Sequence, residues 1–136
     1  MLTLVRYFEL SFDSFLLCLA WGLWRAERVA GLRAAALFAA CDGFATASRA
    51  FAHGGAEAYV FASCLAVMCS PRLGVRRELA AVAALSGFDN LLLNELPAGS
   101  PGYAAASSFL LAALGFGLGS RVLGAGNEYL RRHSQL

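Results

Sequence analysis

The stretch Leu10-Ser11-Phe12-Asp13-Ser14-Phe15-Leu16-Leu17 returns, much altered, as Ser86-Gly87-Phe88-Asp89-Asn90-Leu91-Leu92-Leu93. Each copy sets one carboxylate inside an apolar run that reads as long enough to cross a bilayer. An ionisable side chain at that depth is costly, so membrane proteins keep such groups where their charge is used. Two of them in matching positions imply an internal repeat and a shared site.

The bulk composition agrees with a membrane setting. Of 136 residues, 59% are hydrophobic and 15% charged, and the mean hydropathy is +0.60. That is too apolar for an ordinary soluble domain of this size. Five membrane helices of roughly 20 residues each would use the whole length. The expected fold is therefore all-α, a polytopic membrane helix bundle with the lipid bilayer as its surroundings. Net charge is +2, and every basic side chain apart from histidine is an arginine. These arginines are spread along the chain, which excludes a nucleic-acid partner. Cys18, Cys41, Cys64 and Cys69 form no C-x-x-C pair and read as small apolar packing residues; the lesser alternative is soft-metal ligation, for which Cys41 is favoured because Asp42 adjoins it.

In chain order, span 1 runs from about Tyr7 to Trp24, with Glu9 and Asp13 four residues apart on one helical face. It reads as a retained first span and a poor secretory signal. Arg25, Arg28 and Arg33 form the first link. Span 2, Ala34 to Phe51, carries Asp42 near its centre, and His53-Gly54-Gly55 makes the next turn. Span 3, Glu57 to Ser70, is closed by Pro71. Arg72, Arg76 and Arg77 precede span 4, Glu78 to Leu96, which carries Asp89, Asn90 and Glu95. Span 5, Tyr103 to Ser120, holds Gly115-Phe116-Gly117-Leu118-Gly119. No strand precedes these glycines, so they read as a close helix contact instead of a phosphate loop. Residues 1–121 then form the membrane domain and 122–136 a cytoplasmic tail.

Nine of the eleven arginines fall on one side of this layout, with Arg6 and Arg49 on the other. The positive-inside rule puts the N-terminus outside and the C-terminus in the cytoplasm. The echo extends beyond the first helix, since Gly43-Phe44 and Ser48-Arg49 match Gly115-Phe116 and Ser120-Arg121. Span 1 thus corresponds to span 4 and span 2 to span 5. Three intervening helices invert the second copy, giving an inverted repeat of spans 1–3 against spans 4–5 with a site near the midplane.

With these residues in view, the sequence resembles the MntP family of bacterial manganese efflux pumps, part of the LysE-type transporter group. The resemblance lies in Ser11-Phe12-Asp13-Ser14-Phe15, Leu37-Phe38-Ala39-Ala40-Cys41-Asp42, Phe88-Asp89 and the glycine-rich end of span 5. It implies a transporter of the cytoplasmic (inner) membrane with acidic residues in its first, second and fourth helices, here Asp13, Asp42 and Asp89. Two departures stand out. The family has six helices in two sets of three, whereas this chain ends where a sixth would begin, and its second-helix acid is usually glutamate.

The residues make a similar case on their own chemistry. Mn2+ prefers oxygen ligands, and Asp13, Asp42 and Asp89, helped by Asn90, Ser14 and Glu9, offer such a set. Clustered carboxylates in a low-dielectric site are expected to hold protons until a cation replaces them. The expected function is proton-coupled export of a divalent cation by alternating access, with the metal as substrate and no resident cofactor. A homodimer through the span 5 glycines would supply the missing wall. The alternative is a non-transporting membrane subunit whose aspartates are structural. An enzyme is not expected. Asp42-Gly43 with Arg49 is similar to the motif of membrane CDP-alcohol phosphotransferases but lacks the two further aspartates. Ser86-Gly87-Phe88-Asp89 lacks the second glycine of an intramembrane aspartyl protease.

Overall fold

The computed structural model describes residues 5, 7–9, 11–24, 28–49, 54–92 and 101–133. Arg6, Arg25, His53 and Glu95 lie outside the described residues. The chain is all-α, with five helices and no strand among the described residues. They are α1 (Phe12–Trp24), α2 (Arg28–Ser48), α3 (Gly55–Cys69), α4 (Arg77–Leu92) and α5 (Pro101–His133), with a 3-10 turn at Ser70–Leu73 after α3.

Local chemistry sets several of the boundaries. Gly54 adopts φ 81° just before α3, a left-handed conformation that favours glycine. Pro71 has no N–H to continue α3 and sits in the 3-10 turn, which Gly74 closes at φ 69° by donating to the Pro71 carbonyl at 3.1 Å. Glu78 lies in the first turn of α4, where a negative charge suits the helix dipole, and pairs with Arg76 at 3.4 Å. Pro101 opens α5, a position where its missing N–H costs nothing.

Each expected span falls on one helix, but two boundaries move. Helix α2 begins at Arg28, so Arg28 and Arg33 are helical and not link residues. Helix α5 does not stop near Ser120 but runs to His133, so the stretch expected to be a separate tail begins as a helical extension, exposed from Gly124 to Arg131. No proline interrupts it, and Glu128, Leu130 and Arg131 are good helix formers. Within α5, Pro101–Arg131 is the one helix among the described residues that is long and apolar enough by itself to cross a membrane.

Helices α1 and α2 both pack along α5; α2 also packs on α4, and α3 packs on α4. Phe38 and Phe116 are the large side chains of the main core, surrounded by Cys18, Ala34, Ala35, Cys41, Ala83 and Ala112. Small residues let the α1 and α5 backbones approach closely. A Cβ added at Gly22 would stand 2.5 Å from the Phe116 carbonyl oxygen, and one at Gly115 or Gly119 would collide with the carbonyl of Phe15 or Leu19. The glycine face expected to serve a homodimer is therefore occupied by α1 of the same chain; of the three glycines, only Gly117 faces open space.

Beside this apolar core, several large apolar side chains are exposed and several polar ones are buried. Phe61, Leu85 and Met68 are 68%, 67% and 69% exposed, whereas Asp42 is 3% exposed and Ser14 and Ser108 are fully buried.

Candidate functional site

The polar interior is built by four helices. Helix α1 contributes Asp13 and Ser14, with Ser11 in the turn just before it; α2 contributes Asp42 and Thr46; α4 contributes Ser86 and Asn90; and α5 contributes Ser107 and Ser108. Its centre is the Asp42 carboxylate. Asn90 Nδ2 donates to Asp42 Oδ1 at 3.0 Å, and Ser14 Oγ lies 3.4 Å from Asp42 Oδ2. Ser14 Oγ also lies 3.5 Å from Asp13 Oδ1 and accepts from Ser108 Oγ at 3.1 Å. A hydroxyl carries one proton, so Ser14 serves one carboxylate at a time. Asp13 takes further donors, the backbone N–H of Ser14 at 2.7 Å and the hydroxyl of Ser86. Ser11, just before α1, and Ser107 of α5 share a hydrogen bond at 3.0 Å, and Thr46 donates back to the Asp42 backbone carbonyl at 2.8 Å.

Of the six residues expected to form the site, Asp13, Ser14, Asp42 and Asn90 come together. Glu9 and Asp89 do not, for both are exposed. Asp13 and Asp89 occupy matching places in the repeated sequence, yet α4 turns Ser86 and Asn90 inward and leaves Asp89 outside. The expected set of three converging aspartates is thus a pair. Among the described residues, no three His, Cys, Asp or Glu side chains are grouped to hold a metal ion. Cys41 is buried in the apolar core, beside the site in sequence but not hydrogen-bonded to it.

Ser11, Thr46, Ser86, Ser107 and Ser108 were not singled out from the sequence. A signal was available in spacing for two of them: Ser11, just before α1, lies three residues from Ser14, and Ser86 lies four from Asn90 on one face of α4.

An aromatic stack closes one side. Tyr59 lies between Phe44 and Phe88, with centroids 5.8 and 6.2 Å away, and its hydroxyl donates to the Ala84 carbonyl at 2.9 Å. Gly87 makes room for it, since an added Cβ would strike the Tyr59 hydroxyl and stand 3.1 Å from Cys41.

No family model, curated protein or solved structure matches the chain.

Proposed function

We propose that this chain is an integral membrane protein that exports a small divalent cation, Mn2+ foremost, from the bacterial cytoplasm in exchange for protons. One observation carries the reading: a single hydroxyl, Ser14 Oγ, lies between two carboxylates, Asp13 and Asp42, inside a helix bundle that exposes many large apolar side chains. Large exposed apolar side chains around a polar interior suit a lipid environment, where small residues and hydrogen bonds hold helices together. Two carboxylates balance the charge of a divalent cation without a contribution from Asp89. The oxygens of Ser14, Ser86, Ser108 and Asn90 complete a hard donor set of the kind Mn2+ prefers.

The helix arrangement supports an inverted repeat. Helix α1 packs on α5 as α4 packs on α2, the pairing produced by a two-fold axis exchanging α1 with α4 and α2 with α5. Ser14 and Asn90, equivalent in the repeated sequence, both belong to the polar interior. Arg33 lies against the turn at Gly74, close in sequence to Arg72, Arg76 and Arg77, so these arginines gather at one end. That end is the cytoplasmic one under the positive-inside rule, with the N-terminus outside.

A second reading has its own observation. Both Asp42 oxygens already have partners within the chain and Asp89 is exposed, as suits a non-transporting subunit with structural aspartates. Proteoliposomes carrying a pH gradient separate the two. Uptake of Mn2+ by the wild-type chain, lost in Asp42→Asn, supports exchange; absence of uptake of Mn2+, Cd2+ and Ca2+ alike leaves the structural reading.

A further inference from the structure

A cavity of about 740 Å³ opens between α2 and the 3-10 turn, and none of its lining residues belongs to the Asp13–Asp42 network. Two guanidinium groups, Arg33 from α2 and Arg72 from the turn, line it together with Ala36, Ala40, Pro71 and Leu73. Neither arginine has an ion-pair partner among the described residues, in contrast to Arg76, which holds Glu78 at 3.4 Å. The turn keeps this opening in shape. Gly74, at φ 69°, donates to the Pro71 carbonyl, and the Arg33 guanidinium packs across it where any Cβ would collide. Ser70, fully buried, ties the turn back to α3 by donating to the Val67 carbonyl at 2.8 Å.

Two uncompensated cations beside an apolar wall form a surface of mixed character. The cations call for an anion, and Ala36, Leu37, Ala40 and the exposed side chain of Leu73 call for hydrocarbon. Free phosphate would satisfy only the first demand, and a zwitterionic lipid would bring its own cation into competition with the arginines. Basic pockets between membrane helices on the cytoplasmic side characteristically accept anionic headgroups.

We infer that Arg33 and Arg72 hold the phosphate of an anionic phospholipid in this cavity, with an acyl chain lying along Ala36, Ala40 and Leu73. The site rests on the bilayer placement proposed above but not on transport. It fastens the α3–α4 link to the start of α2 through a lipid.

Native mass spectrometry of the full chain in detergent, with phosphatidylglycerol or phosphatidylethanolamine added, tests the inference. The wild-type chain should retain one phosphatidylglycerol in preference to phosphatidylethanolamine. Arg33→Gln and Arg72→Gln should each weaken retention about fivefold, the effect of one arginine near an anionic surface. Arg76→Gln, which removes an arginine already paired, should leave retention unchanged. Equal retention of both lipids, retention indifferent to Arg33 and Arg72, or displacement by inorganic phosphate at the same concentration as lipid would each overturn the inference. Should Arg33→Gln fail to fold, Arg72→Gln on the exposed turn still decides the result. Alkaline carbonate extraction of the same membranes keeps the two readings apart. A chain that resists extraction but shows no lipid preference defeats the lipid site alone, and a chain that is released defeats the bilayer placement and the lipid site with it.

Discussion

Asn90 Nδ2 donates to Asp42 Oδ1 at 3.0 Å, a hydrogen bond from α4 to α2 made by a residue whose neighbour Asp89 is exposed. One residue of helix rotates a side chain by about 100°, and here that rotation separates an interior donor from an outer carboxylate. Asn90→Ala leaves a buried carboxylate oxygen without its donor, so stability should fall by about 1–2 kcal/mol. Asp89→Ala should change it by less than about 0.5 kcal/mol. Thermal unfolding of both variants in the same detergent checks the difference, and equal losses would mean that Asn90 does not anchor Asp42.

The same division should govern transport. Asp42→Asn and Asp13→Asn each remove one of the two charges that would balance a divalent cation, and Mn2+ uptake should drop at least about tenfold. Asp89→Asn lies outside the pair and should keep uptake within about twofold of wild type. Proteoliposome uptake of Mn2+ by the three variants gives the comparison. A loss in Asp89→Asn as deep as that in Asp42→Asn would restore the three-aspartate site and contradict the geometry.

Helix positions were legible because each helix contains an apolar run bounded by arginine, proline or glycine, as α3 is by Gly54 and Pro71, although α2 and α5 extend past the arginines that bound theirs. Asp13, Ser14, Asp42 and Asn90 were legible for a related reason: polar side chains within such runs are turned inward when partners exist. The orientation of Asp89 was not legible. Matching sequence positions fix how far along a helix a residue lies but not which way it faces. The facing of α4 is set by contact with α2, where Gly87 meets Cys41 and leaves Ser86 and Asn90 inside. The serines of α5 were not legible because a serine among alanines carries no distinctive pattern until Ser14 of α1 and Ser11 just before it stand opposite them.

The α1–α5 contact depends on absent side chains. Gly119→Val places a branched Cβ against the Leu19 carbonyl, and overpacking of this kind costs about 1–3 kcal/mol. Gly117→Val, two residues away on the same helix, meets open space and should be tolerated. Both replace glycine by valine in α5, so helix propensity cancels between them. Detergent unfolding should show the loss in Gly119→Val alone, and equal losses would place the effect in the helix and not in the contact.

Thiol chemistry tests where water lies. Cys64 and Cys69 are both exposed, and Cys18 and Cys41 are both buried. Under the proposed bilayer placement, exposure has two meanings. Cys64 stands mid-helix on α3 in a groove lined mostly by apolar side chains, Val60, Met68 and Leu85 among them, whereas Cys69 ends α3 beside the turn that carries Arg72. Maleimides react with the thiolate, which forms in water and not in hydrocarbon. In single-cysteine variants, Cys69 should react at least about tenfold faster than Cys64 in intact membranes, and only when reagent reaches the cytoplasmic side. Cys18 and Cys41 should stay unmodified until the chain is denatured. A Cys64 that reacts as fast as Cys69 would put water against the outer face of α3, and the bilayer placement would fall with it.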